Sequence, residues 1–512
     1  MLHTRDSRPQ NSAGCRIFSL DLSLMTNAAR FSDHPERLCL TALLAVAAYF
    51  GLCGWLRLWV SPTLELDQAE QALLSQQLAW GYTEQPPLYT WLAWAGFALF
   101  GLSPAVLSGL KAMTLSGTAA GLLFAASRLG FPRGHQWAVL VGLVFIPQFI
   151  WESQRDVTHS CLASTGAAWA LGLMVAARSA RRREPWLIAA GALLGVAILG
   201  KYNSSLLLPA AALILHGPGP ERLPLKLAPW WLCALALCLL PHGLWAPTHA
   251  ELQQRGLAKL ADPAASPWAA LLITDLNTLA FATPLWLFAL LNHNQALSPW
   301  QQRQLHRGRA LFGIVLITVA LLVVLGETRG FKDRWFQPLL TWVVLWFAAG
   351  VRLDSRVYRF TQVIALALAL LVAIALNARI LWAEALDEAI RPNLPYATLA
   401  EALENAAGAT PEVILAERKL LGGNLRMHFG KSWVLTPEVG AALPRPQAAR
   451  YLVVCETERC DKPGFRDWLG GMGVTLPDTA GQERLSAPLR YHRQQAHSIA
   501  YMWVRAGEPP VE

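Results

Sequence analysis

The run CLTALLAVAAYFGLCGWLRLWV, residues 39–60, carries one charged side chain, Arg57, in 22 positions. A helix needs about 20 mostly apolar residues to cross a bilayer core of roughly 30 Å, so this run is long enough to span. Similar runs recur as far as Trp382 and then stop. Read outward from the first, they predict spans near 39–60, 105–127, 135–150, 159–177, 186–199, 203–216, 227–246, 267–291, 309–326, 335–350 and 360–382. The expected fold is an α-helical polytopic membrane protein of about 11 transmembrane helices with a small C-terminal α/β soluble domain. Residues 1–37 form a cytoplasmic N-terminal segment, 38–382 the membrane body and 383–512 the tail.

Composition agrees: 54% of the 512 residues are hydrophobic and 15% are charged, outside the usual range of soluble domains. The net charge of +9 does not signal nucleic acid. The basic residues sit in short clusters between apolar runs, the pattern of the positive-inside rule. Arg128 and Arg133, then Arg178, Arg181, Arg182 and Arg183, mark cytoplasmic connections. No Lys or Arg occurs between Arg57 and Lys111, whereas Glu65, Asp67, Glu70 and Glu84 do, so residues 61–104 face outward. Within them 88–103 follows Pro86-Pro87 and is short and Trp-rich, which predicts a helix lying along the interface.

Residues 186–216 are ambiguous, because Lys201-Tyr202-Asn203-Ser204-Ser205 interrupts the apolar run. Two helices here leave eight cations in the later inside loops against five outside; one helix inverts that side assignment. Two helices also put the tail outside the cytoplasm, in a compartment that permits a local bridge between Cys455 and Cys460. The other cysteines near apolar runs, Cys53, Cys161, Cys233 and Cys238, read as small core residues. No cleavable signal precedes the first span, and Met25 is an alternative start. In the tail, Glu412 to Ala416, Ser432 to Leu435 and Arg450 to Val454 read as strands, and 396–407 as a helix.

Three stretches could carry chemistry. The first external loop holds Asp67, Glu70 and Glu84 ahead of Gln85-Pro86-Pro87; a carboxylate on so stiff a loop can deprotonate a hydroxyl, although acids also simply solvate loops. The turn Gln154-Arg155-Asp156-Val157-Thr158-His159-Ser160 can bind a phosphate or orient a base, or else cap the next helix. Arg329, Lys332 and Arg334 crowd an outer boundary against the charge bias. They suit a lipid-linked phosphate, or snorkel to headgroups. Lys201 and Tyr202, at a helix break, can join the same pocket, since broken helices at membrane depth usually line cavities. His242 reads as a packed polar residue. No Cys/His metal spacing, Walker loop or dinucleotide fingerprint is present, so no cofactor is required, and the carboxylates leave a divalent metal open.

Asp67-Gln68-Ala69-Glu70 with Trp80-Gly81-Tyr82-Thr83-Glu84-Gln85-Pro86-Pro87-Leu88 resembles the first loop of bacterial GT-C membrane glycosyltransferases, those related to protein O-mannosyltransferases and aminoarabinose lipid A transferases. The runs Gln154–Ser160, Gly200–Asn203 and Lys332–Trp335 fall in the same order, and the likeness covers roughly residues 40–350. It implies a glycosyltransferase in the bacterial inner membrane with its site and tail in the periplasm. The donor would be a polyprenyl-phosphate sugar and the acceptor a lipid, glycan or protein. Asp67 becomes the base, with Glu70 or Glu84 as substitutes. Arg329, Lys332, Arg334 and Lys201 become donor-phosphate ligands. Gln85, Pro86, Arg155, Asp156, His159 and Tyr202 become substrate-binding. Two departures bear on the base, the metal and the donor: Gln68 replaces the second acid of a pair, and Gln85 replaces a His. A transporter or flippase of a lipid-linked sugar is the rival reading. It predicts midplane charges and repeated halves, neither of which is visible.

Overall fold

The computed structural model describes residues 38–505 apart from 218–221, 259–265, 292–296, 327, 329, 457–459, 461 and 477–481. The segment 1–37 and Arg329 therefore lie outside the described residues. The body opens with α1 (Leu40–Val60), α2 (Leu66–Leu74) and α3 (Leu88–Phe100). Next come α4 (Pro104–Arg128), α5 (Arg133–Val144), α6 (Gln148–Arg155) and α7 (His159–Ser179). They are followed by α8 (Glu184–Gly200), a 3₁₀ segment Tyr202–Leu207, α9 (Leu208–His216), α10 (Ala228–Trp245) and α11 (Ala250–Ala258). It closes with α12 (Pro267–Phe281), α13 (Thr283–Leu291), α14 (Pro299–Leu325), α15 (Gln337–Gly350) and α16 (Arg356–Leu381).

Among the described residues six helices are long and apolar enough to cross a membrane: α1, α4, α7, α10 with its flanking turns, α14 and α16. A seventh arises if α5 and α6, bent by 75°, are one span. The bend falls beside Pro147, which has no N–H to continue the helical ladder. The other expected spans appear as the shorter α8, α9, α12 with α13, and α15. Large apolar side chains point outward along the long helices, for instance Leu44 and Trp55 on α1 and Phe360, Leu370 and Ile374 on α16, as a lipid-facing surface requires. Helix α3 has 13 residues, about 20 Å at 1.5 Å per residue, too short for a bilayer core.

Local chemistry sets the helix starts. Ser103 caps α4 by accepting the Ala105 N–H at 3.2 Å ahead of Pro104 at the first turn. Between helices, small residues bring backbones together. A Cβ on Gly191 of α8 would lie 2.1 Å from the Trp231 carbonyl of α10. The ambiguous stretch resolves into two helices. Gly200, ending α8, offers its carbonyl to His159 at the start of α7, whereas Ile214 in α9 accepts from Arg178 at the far end of α7. The chain therefore turns at Lys201 and runs back.

The tail contains α17 (Tyr396–Ala407), β1 (Val413–Ala416), α18 (Lys419–His428), β2 (Trp433–Leu435), β3 (Arg450–Cys455), α19 (Pro463–Gly471), β4 (Glu483–Leu489) and β5 (His492–Arg505). The sheet order is β2-β1-β3-β5-β4, with β1 parallel to β2 and β3, and β5 antiparallel to β3 and β4. The expected helix and strands are present, and Cys455 is bonded to Cys460. The sequence reading missed the long β4–β5 hairpin. The tail is not a separate body: its core is continuous with Leu64, Ala69, Ala72, Leu73 and Leu74 of the first loop.

Candidate functional site

Asp67 lies in the first turn of α2. That helix begins with a reciprocal cap. The Glu65 side chain accepts from the backbone at Gln68, and the Gln68 side chain accepts the Glu65 N–H at 3.2 Å. Gln68 thus has a structural use at the position where related loops place a second acid. The Asp67 N–H donates to Asp156 Oδ1 at 2.9 Å, bringing the second predicted stretch against the first. Arg391 of the tail reaches Asp156 at 3.3 Å and Glu65 at 3.9 Å, and Arg379 reaches Glu65 at 3.4 Å. Glu70 is paired with Lys419 at the start of α18.

The tail grips α2 from above. Leu64 N–H donates to Asn424 Oδ1 at 2.8 Å, and Gln76 exchanges two hydrogen bonds of 2.8 Å with the backbone of Val434. Gly423 of α18 packs directly on α2, where a Cβ would fall 2.4 Å from the Ala69 carbonyl oxygen. Only glycine permits that approach.

Crowding changes the acid-base character of the loop. Burial, then the Asp156 and Glu70 carboxylates, raise Asp67 from the ordinary 3.8 to about 7, with Lys111 and Lys419 pulling the other way. Burial and Asp156 likewise raise Glu65. Burial disfavours the Lys419 ammonium, but Glu70 and Asp67 outweigh it and its pKa rises. Asp67 is only half-buried, so a substrate can still reach it.

The opposing wall forms at the turn after α8. Lys201 Nζ donates to Ser160 Oγ at 2.6 Å. Burial and the neighbouring Arg334 cation lower Lys201 to about 8, while Asp67 acts in the opposite sense. Lys201 is therefore within electrostatic reach of both the carboxylate loop and the distant cationic loop. Lys332 and Arg334 are exposed, and the Lys332 ammonium lies 5.5 Å from the Trp335 ring centre. Asn203 Nδ2 donates to the Trp335 carbonyl at 2.6 Å, and Gln148 Nε2 donates to Asp333 Oδ2 at 2.8 Å. These bonds fix the cationic loop to the helix break.

Other predicted residues have narrower placements. His159 is buried with both ring nitrogens engaged, by Gln71 at 3.2 Å and the Gly200 carbonyl at 3.2 Å, so it ties α2, α7 and α8 together. Thr90 donates to Gln71 Oε1 at 2.7 Å and extends that network to α3. Tyr202 meets His242 Nε2 at 2.6 Å, and His242 Nδ1 meets the Trp80 carbonyl at 2.8 Å. Glu84 and Gln85 are half-buried, Pro86 is buried, and Glu84 lies against Gly256 of α11. Arg155 pairs with Glu152 at 3.0 Å. Among the described residues no group of three or more His, Cys, Asp or Glu could hold a metal ion.

Carboxylates and cations lie close together beside the apolar helical body, an arrangement able to take a proton and hold an anionic group. The comparisons specify the family. A model for dolichyl-phosphate-mannose-protein mannosyltransferases matches residues 84–245. The lipopolysaccharide core galacturonosyltransferase RgtB of Rhizobium johnstonii is 31% identical over 487 residues, 90% of this chain and 96% of RgtB. RgtA of the same organism is 29% identical over 513 residues, covering 92% and 99%. The fold is similar to that of ArnT from Cupriavidus metallidurans, crystallised with undecaprenyl phosphate, at 15% identity and a TM-score of 0.57 over 90% of this chain and 97% of ArnT. The chain belongs to the GT-C membrane glycosyltransferases, the family of RgtB and RgtA.

Proposed function

We propose that the protein transfers a galacturonosyl residue from a polyprenyl phosphate to a hydroxyl of the lipopolysaccharide core, at the periplasmic face of the bacterial inner membrane. The observation that carries this is the joint site, Asp67 opposite Lys201 and Arg334, on a chain that aligns with RgtB almost end to end. RgtB and RgtA are named for that acceptor and sugar, and ArnT was crystallised with a polyprenyl phosphate.

In this reading Asp67 removes the proton from the acceptor hydroxyl as its oxygen attacks the anomeric carbon. The bond from that carbon to the phosphate oxygen breaks, and polyprenyl phosphate departs with the electron pair. A phosphate leaving group needs its negative charge stabilised more than it needs a proton. Lys201 supplies that stabilisation, and Lys332, Arg334 and Arg329 capture the phosphate of the incoming donor. A base with a pKa near the working pH is efficient, and Asp67 at about 7 meets that condition. Tyr202, Gln85, Pro86 and Glu84 line the donor's approach, and Asp156 holds the Asp67 backbone. The short α3 lies along the interface.

The test is mass spectrometry of lipopolysaccharide from a strain deleted for the gene. The expected result is a core lacking one hexuronic acid, restored by the wild-type gene and not by an Asp67→Asn copy. An unchanged core sinks the acceptor and sugar assignment. Reporter fusions that put Asp67 and Arg334 on opposite sides of the bilayer sink the shared pocket.

A further inference from the structure

Beside the carboxylate loop lies a small cavity that neither Lys201, Lys332 nor Arg334 lines. It opens between α1, α4, α6 and α16, and Gln68, the residue after Asp67, forms part of its wall. Four cations face it, Arg57, Lys111, Arg155 and Arg379, and no carboxylate does. Two of the four are already matched: Arg155 by Glu152 at 3.0 Å and Arg379 by Glu65 at 3.4 Å. Arg57 donates to the backbone carbonyls of Ser61 and Thr63; among the described residues it makes no ion pair within 4.0 Å, and Glu65 acts on it at longer range.

Lys111 stands out. It is 7% exposed, in the second turn of α4, and its ammonium has no hydrogen bond or ion pair among the described residues. Glu65 and Asp67 feel its charge only at longer range. The stem is buried while the ammonium opens onto the cavity, and a lone charge within a membrane helix is a functional residue by default. The cavity volume is about 40 Å³. One water needs roughly 10–15 Å³ of such space, so the cavity takes three or four oxygen-sized groups. That is room for a phosphate or a carboxylate.

We infer that the Lys111–Arg57 pocket binds an anionic oxygen group, phosphate or carboxylate, carried by the acceptor. This rests on the transfer reading above and adds an acceptor subsite to it. The donor phosphate has its own cations at Lys201 and Arg334, while the pocket adjoins the base, which must touch the acceptor. An acid group anchored at Lys111 delivers a neighbouring hydroxyl of the same molecule to Asp67. The subsite selects acidic acceptors over neutral ones.

The experiment uses the purified full-length protein in nanodiscs with a polyprenyl-phosphate galacturonate donor. Acceptors are lipopolysaccharide from the deletion strain, either intact or dephosphorylated and carboxyl-reduced. Wild type should favour the intact acceptor by roughly tenfold to a hundredfold in kcat/KM, the worth of a hydrogen bond between charged groups. Lys111→Met should abolish that preference by raising the KM for intact acceptor, with the KM for donor unmoved, and Lys111→Arg should restore it. An equal loss on both acceptors, accompanied by a shifted acidic limb of the pH profile, would mean that Lys111 only balances Asp67, and overturns the inference. So does a raised donor KM. A wild-type Tm that rises with anionic nanodisc lipid, and no longer does so in Lys111→Met, assigns the pocket to a phospholipid headgroup and overturns it too. If wild type transfers to neither acceptor, the transfer reading itself fails, and the subsite with it.

Discussion

The two walls of the site are built differently. The carboxylate wall is short, clamped and mostly enclosed: α2 is capped at its start, tied to Asp156 and held under α18 by Lys419 and Gly423. The cationic wall is a helix break and an open loop; among the described residues Lys332 and Arg334 are exposed and only Lys201 is drawn inside. A base must be positioned before substrate arrives, because proton transfer tolerates little misplacement. Cations that meet a long lipid-linked phosphate can be ordered by the phosphate itself. Under the proposed function the difference divides the labour: the first wall would govern the chemical step and the second capture of the donor.

The largest effect tests that division at Asp67. Asp67→Asn keeps the size of the side chain and removes the base, so transfer should fall by about 10²–10⁴-fold, with donor binding retained. Single-turnover transfer with prebound donor measures it; full activity would move the base to Glu70 or Glu84. On the other wall, Arg334→Ala should show itself in donor KM rather than in turnover at saturating donor. One lost charge-assisted bond to phosphate is worth about 1.5–3 kcal/mol, roughly tenfold to a hundredfold. A fall in kcat at unchanged donor KM would erase the proposed contrast.

A third variant acts on the clamp without touching the site. Gly423→Ala places a methyl group where the Ala69 backbone lies, 2.4 Å from its oxygen. Overpacking of this kind costs about 1–3 kcal/mol. The tail should lift from α2, seen as faster proteolysis near 383–395, and kcat should drop several-fold while donor KM holds. If donor KM rises instead, the tail supports both walls.

That clamp explains what could be read from the chain and what could not. Helix and strand periods are local, so the long spans, three of the five tail strands and the Asp67 and Arg334 clusters stood out. The contacts that organise the site are not local: Lys419 to Glu70, Arg379 to Glu65 and Arg391 to Asp156 join residues 349, 314 and 235 apart. No pattern within one stretch announces such a pair. Glycine in α18 likewise looks like a poor helix former until α2 is set against it. Lys111 is different. A single Lys in an apolar run is a legible signal, but its pocket is made by α1, α6 and α16, which the run itself does not announce. Of the eleven expected spans, six are matched by long helices among the described residues and a seventh by the pair bent beside Pro147; the other four are the shorter α8, α9, α12 with α13, and α15.

The smallest effect is also the most discriminating, because each wall carries a group that titrates near neutrality, Asp67 on one and Lys201 on the other. The base works deprotonated, so activity should rise with pH through about 7 as Asp67 loses its proton. The phosphate ligand works protonated, so activity should fall as pH passes about 8 and Lys201 loses its charge. A narrow bell in kcat/KM results. Lys419 holds Asp67 down, so Lys419→Met should shift the acidic limb to higher pH and leave the alkaline limb in place. Arg334 holds Lys201 down, so Arg334→Ala should shift the alkaline limb to higher pH and leave the acidic limb in place. Each variant moving its own limb would show two walls acting separately. A variant that moves both limbs together would show Asp67 and Lys201 titrating as one coupled pair, and the division of labour between the walls would then be wrong.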